Sequence, residues 1–419
     1  MLLVGAASID ITPSRPMPLA GFGHRPEPYE DVAHPIKVRA LVFEREGVRA
    51  AVVSADHVGW SAELVDSLRR RVQEAIGVAP ELLLLHATHT HCGPQIADRV
   101  PIRPAPDKDY LAELEERTVD AARRAAADLA HATGMSLSHG KAGFSINRRL
   151  KEGGEVTMAP NPEGPTDPVV TVARFDRAND RPPLVLVHFT CHPTTSDQKR
   201  VSPDFPGTAM DLLEPELGEG SVAAFLQGHC GDIRPALVKD GRFFRGTQDD
   251  IDRLAGELAT AVREALAGEQ VPLAEGPIEG CREVVELPFC PLPEQSELED
   301  HVAQGDRDSR WARYLLDNPG WRSGHVQLDV SRLTICQGLE LLALNAEPVV
   351  AYGFAVRELK GGVVLPVGYS NGQFGYLPTA AQLVEGGYEG TGAIKGGLPS
   401  PLVPEAEQLT LDAIRRVVS

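Results

Sequence analysis

The chain has 419 residues, of which 42% are hydrophobic, and its 41 Lys and Arg residues against 59 Asp and Glu residues give a formal net charge of −18. This length and apolar content permit a large buried core and exclude a disordered tail or a small peptide scaffold. Because the charge is acidic and no segment concentrates Lys and Arg into a basic stripe, we expect neither nucleic acid nor an anionic membrane surface as a partner.

The N-terminal stretch MLLVGAASIDITP has neither a basic leader nor a long apolar run. It reaches a predicted strand and Pro13 within about a dozen residues, which is too short for a secretion signal or a spanning helix. We therefore expect a soluble, cytoplasmic protein with no transmembrane segment.

Short β-branched apolar runs alternate along the chain with longer amphipathic segments. The runs predict strands at 37–44, 49–54, 81–85, 168–175, 184–189, 222–227, 338–344 and 348–356. The amphipathic segments predict helices at 61–77, 109–132 and 247–266, with caps at Ser61 and Thr247. The mixture predicts an α/β fold in which mixed β-sheets are covered by helices.

No repeat or low-complexity linker divides the chain, so we predict a single domain over residues 1–419. Pro-rich stretches predict loops at 101–106, 158–168 and 288–293. The last of these opens a segment without a strong period, which predicts an irregular insertion at 290–323. Long loops in a compact domain often serve function.

Three histidines follow an apolar run in the stretch HATHTHCGP, namely His86, His89 and His91. In an extended segment His89 and His91 project to one face, because side chains alternate along a strand. A pair of this kind at the end of a buried strand can aim two imidazoles at one metal ion. Taken alone, the pair is equally compatible with surface or hydrogen-bonded histidines.

Two further apolar strands end in histidine-bearing turns. LVLVHFTCHP carries His188 and His192, and FLQGHCGDIRP carries His229. Ligands gather at the carboxyl ends of strands in α/β folds. The three turns together predict a metal site at these strand ends.

The chain has six cysteines without CxxC spacing, which predicts neither a zinc ribbon nor a disulfide framework. Reduced thiols that pack as small apolar residues are the simplest interpretation. Three of them, Cys92, Cys191 and Cys230, lie beside the histidine motifs. If all three are near one site, the compartment must be reducing.

Several motifs together resemble the neutral/alkaline ceramidase family, zinc amidases that cleave the N-acyl bond of ceramide. They occur in the family's order and are GAASIDITP, VSADHVG, HTHCGP, INRR, CHPT, GDIRP, NAEP and GYSNGQFGYLPTAAQLVEGGYEG. The last is the most specific, because Tyr376 and Tyr388 keep the twelve-residue separation of the family's two active-site tyrosines.

The resemblance implies four zinc ligands, which are His89, His192, Glu347 and Tyr376. It implies that His91 lies beside the metal and moves protons. It also implies that Arg148 and Tyr388 hold or polarise the scissile carbonyl. We predict that Asp56 and Asp232 accept hydrogen bonds that orient the ligand imidazoles.

This sequence departs from the family's pattern near the predicted metal site. Cys92 and Gln95 replace a serine and a glycine, and Arg234 stands where the family has a serine next to the substrate amide. We therefore predict that Gln95 and Arg234 contact the substrate. The family's secretion signal and C-terminal immunoglobulin-like domain are expected to be missing, so the substrate need not be membrane ceramide.

Arg234 needs an anionic partner if it is buried, because an unpaired guanidinium is costly to desolvate. A protein carboxylate, Asp232 or Glu389, is one predicted partner. The other is a negative group of the substrate, which would then be a small acidic amide.

These patterns predict a zinc-dependent hydrolase that cleaves a linear amide bond of a small-molecule or lipid substrate with metal-activated water. Amidohydrolase barrels and metallo-β-lactamase-like enzymes also use HxH, but the eightfold βα rhythm of the first and the HxHxDH motif of the second are missing here. A zinc esterase would use the same residues, and a metal-binding homologue without catalysis is a third alternative.

Overall fold

The computed structural model of the protein describes residues 1–97, 105–306, 308–360, 364–392 and 397–419. Residues 101–104 of the loop predicted at 101–106 lie outside these ranges. No helix within the described ranges is both long and apolar enough to span a bilayer.

The β-strands are, in chain order, β1 Leu3–Asp10, β2 Asp31–Val32, β3 Lys37–Arg45, β4 Val48–Ala55, β5 Leu83–Ala87, β6 Ala130–Lys141, β7 Ser145–Glu152, β8 Glu155–Asn161, β9 Val169–Arg177, β10 Leu184–Phe189, β11 Arg200–Val201, β12 Val222–Gln227, β13 Ile233–Pro235, β14 Val238–Lys239, β15 Arg242–Phe243, β16 Val271–Pro272, β17 Glu279–Pro288, β18 His325–Cys336, β19 Leu339–Leu344, β20 Glu347–Pro348, β21 Val364–Val367 and β22 Tyr376–Leu377.

The α-helices are α1 Ala62–Ile76, α2 Lys108–Ala127, α3 Asp204–Leu217, α4 Gln248–Ala267, α5 Gln295–Gln304, α6 Ser309–Asp317, α7 Val350–Lys360, α8 Ala380–Glu385 and α9 Ala406–Val418. Short 3-10 helices occur at Pro80–Leu82 and Pro319–Ser323, and Tyr388–Gly392 forms one π-helical turn.

The largest sheet has nine strands within the described residues, in the order β12-β10-β9-β6-β1-β3-β4-β5, with β16 beside β6. Strand β10 runs parallel to β12, and β5 runs parallel to β4, whereas the pairs between them are antiparallel. The strands that precede the histidine turns, β5, β10 and β12, are buried along their whole length. This explains their continuous apolar sequences, since strands covered on both faces lose the alternation of apolar and polar residues.

Helices α2, α3 and α4 pack on this sheet, and α7 and α9 pack on a second sheet of order β17-β18-β19-β21. Helix α1 begins at the predicted Ser61 cap, whose side chain accepts a hydrogen bond from Leu64 N, and it ends at Gly77 with φ of 70°. Helix α4 begins with the predicted capping box of Thr247 and Asp250. Their apolar stripes are buried in two large hydrophobic clusters.

Two smaller sheets carry residues of the predicted site. Strands β13, β7 and β8 form one, and its strands β7 and β13 contain Arg148 and Arg234. In the other, β20 pairs in parallel with β22, so Glu347 lies directly beside Tyr376.

The predicted strand at 348–356 is wrong, because helix α7 begins at Val350. A residue distant in the sequence caps this helix: Asp232 Oδ1 accepts a hydrogen bond from Val350 N at 2.9 Å. Such a tertiary cap satisfies an orphan amide that the local sequence does not provide for.

Two further boundaries differ from the prediction. The helix predicted at 109–132 ends at Ala127, and strand β6 follows from Ala130. The segment 290–323 is not irregular, since it contains α5 and α6, which bury Leu298, Trp311 and Leu315 in a small cluster of their own. The single-domain assignment for residues 1–419 stays a prediction.

Candidate active site

The carboxyl ends of the buried strands meet at one end of the large sheet. Ser54 Oγ at the end of β4 donates to the carbonyl of Phe225 in β12 at 2.7 Å. Gln227 N at the end of β12 donates to His86 Nε2 at the end of β5, at 2.9 Å. These contacts hold the turns that follow β5, β10 and β12 side by side.

Three histidines from two of these turns form a compact group. His89 Nε2 lies 2.9 Å from His192 Nε2 and 3.2 Å from His91 Nε2. The ligand atoms of all three lie within 4.8 Å of one another. Strand β5 ends at Ala87, and His89 has φ of 68°, so a tight turn rather than strand alternation brings His89 and His91 together.

The second nitrogen of two imidazoles is held by the backbone. His89 Nδ1 contacts the carbonyl of Val58, and His192 Nδ1 contacts the carbonyl of Cys230 at 3.2 Å. A carbonyl only accepts, so each Nδ1 carries the proton and each Nε2 presents a lone pair. Two lone pairs that face each other at 2.9 Å repel unless a cation lies between them.

Burial lowers the pKa of His192 well below its usual value, and the neighbouring His89 and Arg148 lower it further. The neutral imidazole that results is the form that binds metal ions. The histidine group therefore has the chemistry of a metal site.

A carboxylate and a tyrosine lie beside the histidines. Glu347 Oε2 is 3.5 Å from His89 Nε2 and 3.8 Å from His192 Nε2. Its other oxygen accepts a hydrogen bond from Gln373 Nε2, which fixes the carboxylate. Tyr376 lies beside Glu347 in the β20–β22 pair. Two imidazoles and a carboxylate are thus adjacent, and Tyr376 is paired with Glu347, the residue that supplies the carboxylate.

Arg148 is clamped between the predicted tyrosines and a buried acid. Its Nη2 donates to Tyr376 Oη at 3.1 Å, and its Nε donates to Glu389 Oε1 at 2.7 Å. The guanidinium also lies over the rings of Tyr376 and Tyr388, at 5.5 Å and 5.4 Å. Glu389 binds Arg149 as well, through Oε2 at 2.8 Å. Burial opposes ionisation of Glu389, but Arg148 and Arg149 outweigh it and keep the pKa of that carboxyl below its usual value.

No protein-family model matches the chain. The curated neutral ceramidase of Mycobacterium tuberculosis (strain ATCC 25618 / H37Rv) is 27% identical over 264 residues, which cover 56% of this chain and 40% of that protein. The matched region is therefore less than half of the length of this relative.

The crystal structure of neutral ceramidase from Pseudomonas aeruginosa matches 99% of this chain and 74% of its own, with a TM-score of 0.77 and 20% identity. The chain therefore has the fold of this neutral ceramidase. A ceramidase complexed with C2 matches equally well, with a TM-score of 0.77 and 19% identity over 100% of this chain and 75% of its own. The α/β fold predicted from the sequence is confirmed.

Backbone carbonyls, rather than Asp56 and Asp232, contact the Nδ1 atoms of His89 and His192 in the structure. Asp56 accepts from Lys37 N at 2.9 Å and from Arg39 at 3.2 Å, and it also accepts a hydrogen bond from the Thr88 hydroxyl at the start of the histidine turn. Asp232 caps α7. Both carboxylates therefore position backbone segments around the site.

Gln95 is buried, and its side-chain amide donates to the carbonyl of Ala97. That bond closes its own loop, and contact with substrate stays a prediction. Arg234 is also buried, but it pairs with neither predicted carboxylate: Glu389 binds Arg148 and Arg149, and Asp232 binds the start of α7.

The three cysteines near the histidines are buried and unpaired by disulfides. Burial raises the pKa of Cys92 to about 11 and raises those of Cys191 and Cys230 well above their usual value. These thiols stay protonated at neutral pH and pack as small residues, in agreement with the interpretation from the sequence.

Three residues contact the proposed site in ways that the sequence did not predict. The Tyr369 ring packs on His89 with 4.1 Å between centroids, Gln373 holds Glu347, and Glu389 holds Arg148. All three lie in the long motif that resembles the family, and this motif is the one sequence signal that points to them.

Gly21 is required beside the histidine turn for a steric reason. It has φ of 87°, and a Cβ there would lie 2.3 Å from His91 Cβ.

Proposed function

We propose that the protein is a zinc-dependent amidase that hydrolyses a linear N-acyl bond of a small-molecule or lipid substrate. The observation that carries this proposal is the pair of Nε2 lone pairs 2.9 Å apart on His89 and His192, next to Glu347. The likeness to proteins named neutral ceramidase supports the same conclusion.

We assign the metal to His89, His192, Glu347 and Tyr376. Two imidazoles, a carboxylate and a phenol oxygen suit zinc, which prefers nitrogen, sulfur and carboxylate ligands in tetrahedral sites. When bound, zinc lowers the pKa of water from about 15.7 toward 7 and polarises a carbonyl group. The neutral state of His192 favours binding at neutral pH.

Residues next to the proposed metal site supply the proton carrier and the oxyanion partners that amide hydrolysis needs. His91, with Nε2 3.2 Å from His89 Nε2, accepts a proton from the attacking water and donates it to the departing nitrogen. Arg148 keeps its charge because Glu389 and the tyrosines surround it. Arg148 and the half-exposed Tyr388 then stabilise negative charge on the carbonyl oxygen.

Turnover of matched substrates tests this proposal. The purified protein is stripped with a chelator, dialysed, and assayed for amine release from N-acyl ethanolamines of several chain lengths before and after zinc is restored. We expect turnover only with zinc. Esters of the same acyl groups test the alternative of an esterase: hydrolysis of esters without any amine release from amides would overturn the assignment as an amidase. The absence of zinc-dependent turnover on both classes would favour a metal-binding homologue.

A further inference from the structure

Arg234 differs from the other buried arginines of the chain. Its side chain is 4% exposed, and its Nε and Nη2 have no hydrogen-bond partner among the described residues. Five other buried arginines pair with carboxylates, namely Arg39, Arg69, Arg148, Arg149 and Arg177, and the buried Arg25 donates to backbone carbonyls. An unpaired buried guanidinium is destabilising, so its retention points to a ligand.

Arg234 faces the catalytic region. In the small sheet it pairs with Ile146 of β7, two residues before Arg148, and cross-strand neighbours project to the same face. The charges of Arg234 and Arg148 both act on His192. The aromatic ring of Phe243 lies under the guanidinium at 4.2 Å and holds its plane.

Two more arginines, Arg25 and Arg245, lie near His91. Arg25 donates from Nη2 to the carbonyls of His91, at 2.5 Å, and of Ala20, at 2.8 Å. Arg245 lies over the Phe22 ring at 4.3 Å, and that ring is 4.9 Å from the ring of His91. Within the described ranges no salt bridge joins either arginine to a carboxylate. Asp197, whose charge acts on Arg245, is hydrogen-bonded to His24 at 3.1 Å.

The positive charges of Arg245 and Arg148 act on the guanidinium of Arg234. Burial and, after it, the charges of Arg245 and Arg148 together lower the pKa of Arg234 to about 9. Asp197 and Asp204 interact with Arg245, but no carboxylate is among the groups that shift the pKa of Arg234, so a compact anion would relieve the positive potential there. A planar guanidinium matches the two oxygens of a carboxylate or phosphate group.

We propose that Arg234, with Arg245 at its side, binds an anionic group of the substrate, so that the protein acts on amides bearing a carboxylate or a phosphate-type group near the scissile bond. This inference rests on the proposed amidase function. Uncharged amides such as ceramide would leave Arg234 buried without a partner, and they are poorer substrates for that reason.

Three matched substrates test the proposal, namely N-lauroylglycine, its neutral glycinamide, and N-lauroyl-aminomethylphosphonate. For the zinc-loaded protein we expect kcat/KM on at least one anionic member to exceed that on the glycinamide by about 10-fold or more, the usual worth of a charge-assisted hydrogen bond. The ratio of carboxylate to phosphonate turnover identifies which anion is preferred. Equal or better turnover of the glycinamide would overturn the proposal.

Substitution of the arginine gives the second comparison. Arg234→Gln should lower kcat/KM on the preferred anionic amide by about 10- to 100-fold and change that on the glycinamide by less than about 3-fold. Arg234→Lys keeps the positive charge, so it should retain part of the preference for the anionic amide. This result would show that the loss in Arg234→Gln does not come from misfolding. Arg322→Gln is the matched control, since Arg322 also stacks on an aromatic ring, Trp321, at 5.5 Å. Equal losses of Arg234→Gln on all three amides would contradict the proposal.

Binding without turnover separates this inference from the proposed function. Calorimetric titration with N-acetylglycine and with N-acetylglycinamide needs no hydrolysis. Tighter binding of the anion that disappears in Arg234→Gln supports the anion site even if no amide is cleaved. Hydrolysis of amides with no dependence on their charge would overturn the anion site and leave the amidase function intact.

Discussion

At the scale of single residues, His89 combines a strained backbone with a fixed side chain. A φ of 68° is unusual for a histidine and costs on the order of 1–3 kcal/mol, so it persists only where the surroundings enforce it. Here His89 N donates to the carbonyl of His57 at 3.0 Å, and the Tyr369 ring packs on the imidazole. The strain is therefore stored at the residue that we assign to the metal.

His91 has its Nε2 3.2 Å from His89 Nε2, nearly as close as His192 Nε2 at 2.9 Å, and we assign it to proton transfer rather than to the metal. We expect His91→Ala to lower kcat by about 100-fold or more while bound zinc is unchanged, since a positioned proton carrier is lost. Kinetics and elemental analysis of the same preparation check this. Loss of zinc from His91→Ala would make His91 a ligand instead.

Glu389 stabilises two buried arginines at once. Glu389→Gln leaves Arg148 and Arg149 without their shared carboxylate, so we expect the free energy of unfolding to fall by about 3–5 kcal/mol. Glu385→Gln is the matched control, because Glu385 also pairs with Arg149 but is 33% exposed, and it should cost less than about 1 kcal/mol. Urea unfolding at pH 7 measures both. If Glu389→Gln lowers the free energy of unfolding as little as the control does, Glu389 does not stabilise the two arginines as described.

At the scale of elements, an ion-pair cluster joins strand β3 to helix α3. Asp211 of α3 binds His34 and Lys37, each at 2.7 Å, and Arg39 at 2.5 Å. Burial opposes its ionisation, but His34, Arg39 and Lys37 outweigh this and lower its pKa from 3.8 to about 2. Because the pKa is depressed in the folded state, the stabilisation is complete above the unfolded value and is lost as pH falls from about 4 through 2.

Asp211→Asn should therefore lower the free energy of unfolding by about 2 kcal/mol at pH 7 and by about 1 kcal/mol at pH 3. Urea titrations at the two pH values measure the difference, with the exposed Asp252→Asn in α4 as control. A cost that is equal at both pH values would mean that the carboxylate does not titrate as described.

The elements that the sequence predicts well are those whose signal is local. Strands β5, β10 and β12 are continuous apolar runs, and α1 and α4 carry their own caps. Helix α7 was missed because its cap, Asp232, comes from a distant loop, and its apolar run resembles a strand. Strand β17 is not predicted because only one of its residues, Leu287, is buried, and β18 is not predicted because the polar residues Asp329 and Ser331 interrupt its buried apolar residues.

At the scale of the whole molecule, one end of the large sheet gathers residues that are distant in the sequence. Four separate segments of the chain supply His89, His192, Glu347 and Arg148. In the sequence, only the order of the motifs indicates that these residues belong to one site. The residues that neutralise or orient them could not be predicted, because such pairings depend on the packing of small sheets and loops. A cytoplasmic location stays a prediction.

Zinc stoichiometry tests the central claim most directly. Elemental analysis of the purified protein should find one zinc ion per chain, with a loss of most of it in His89→Ala and in His192→Ala. The control His139→Ala removes an exposed histidine of β6, bonded to Thr171 at 3.2 Å, and should retain full zinc. Full zinc in both site variants would contradict the metal site and the function built on it.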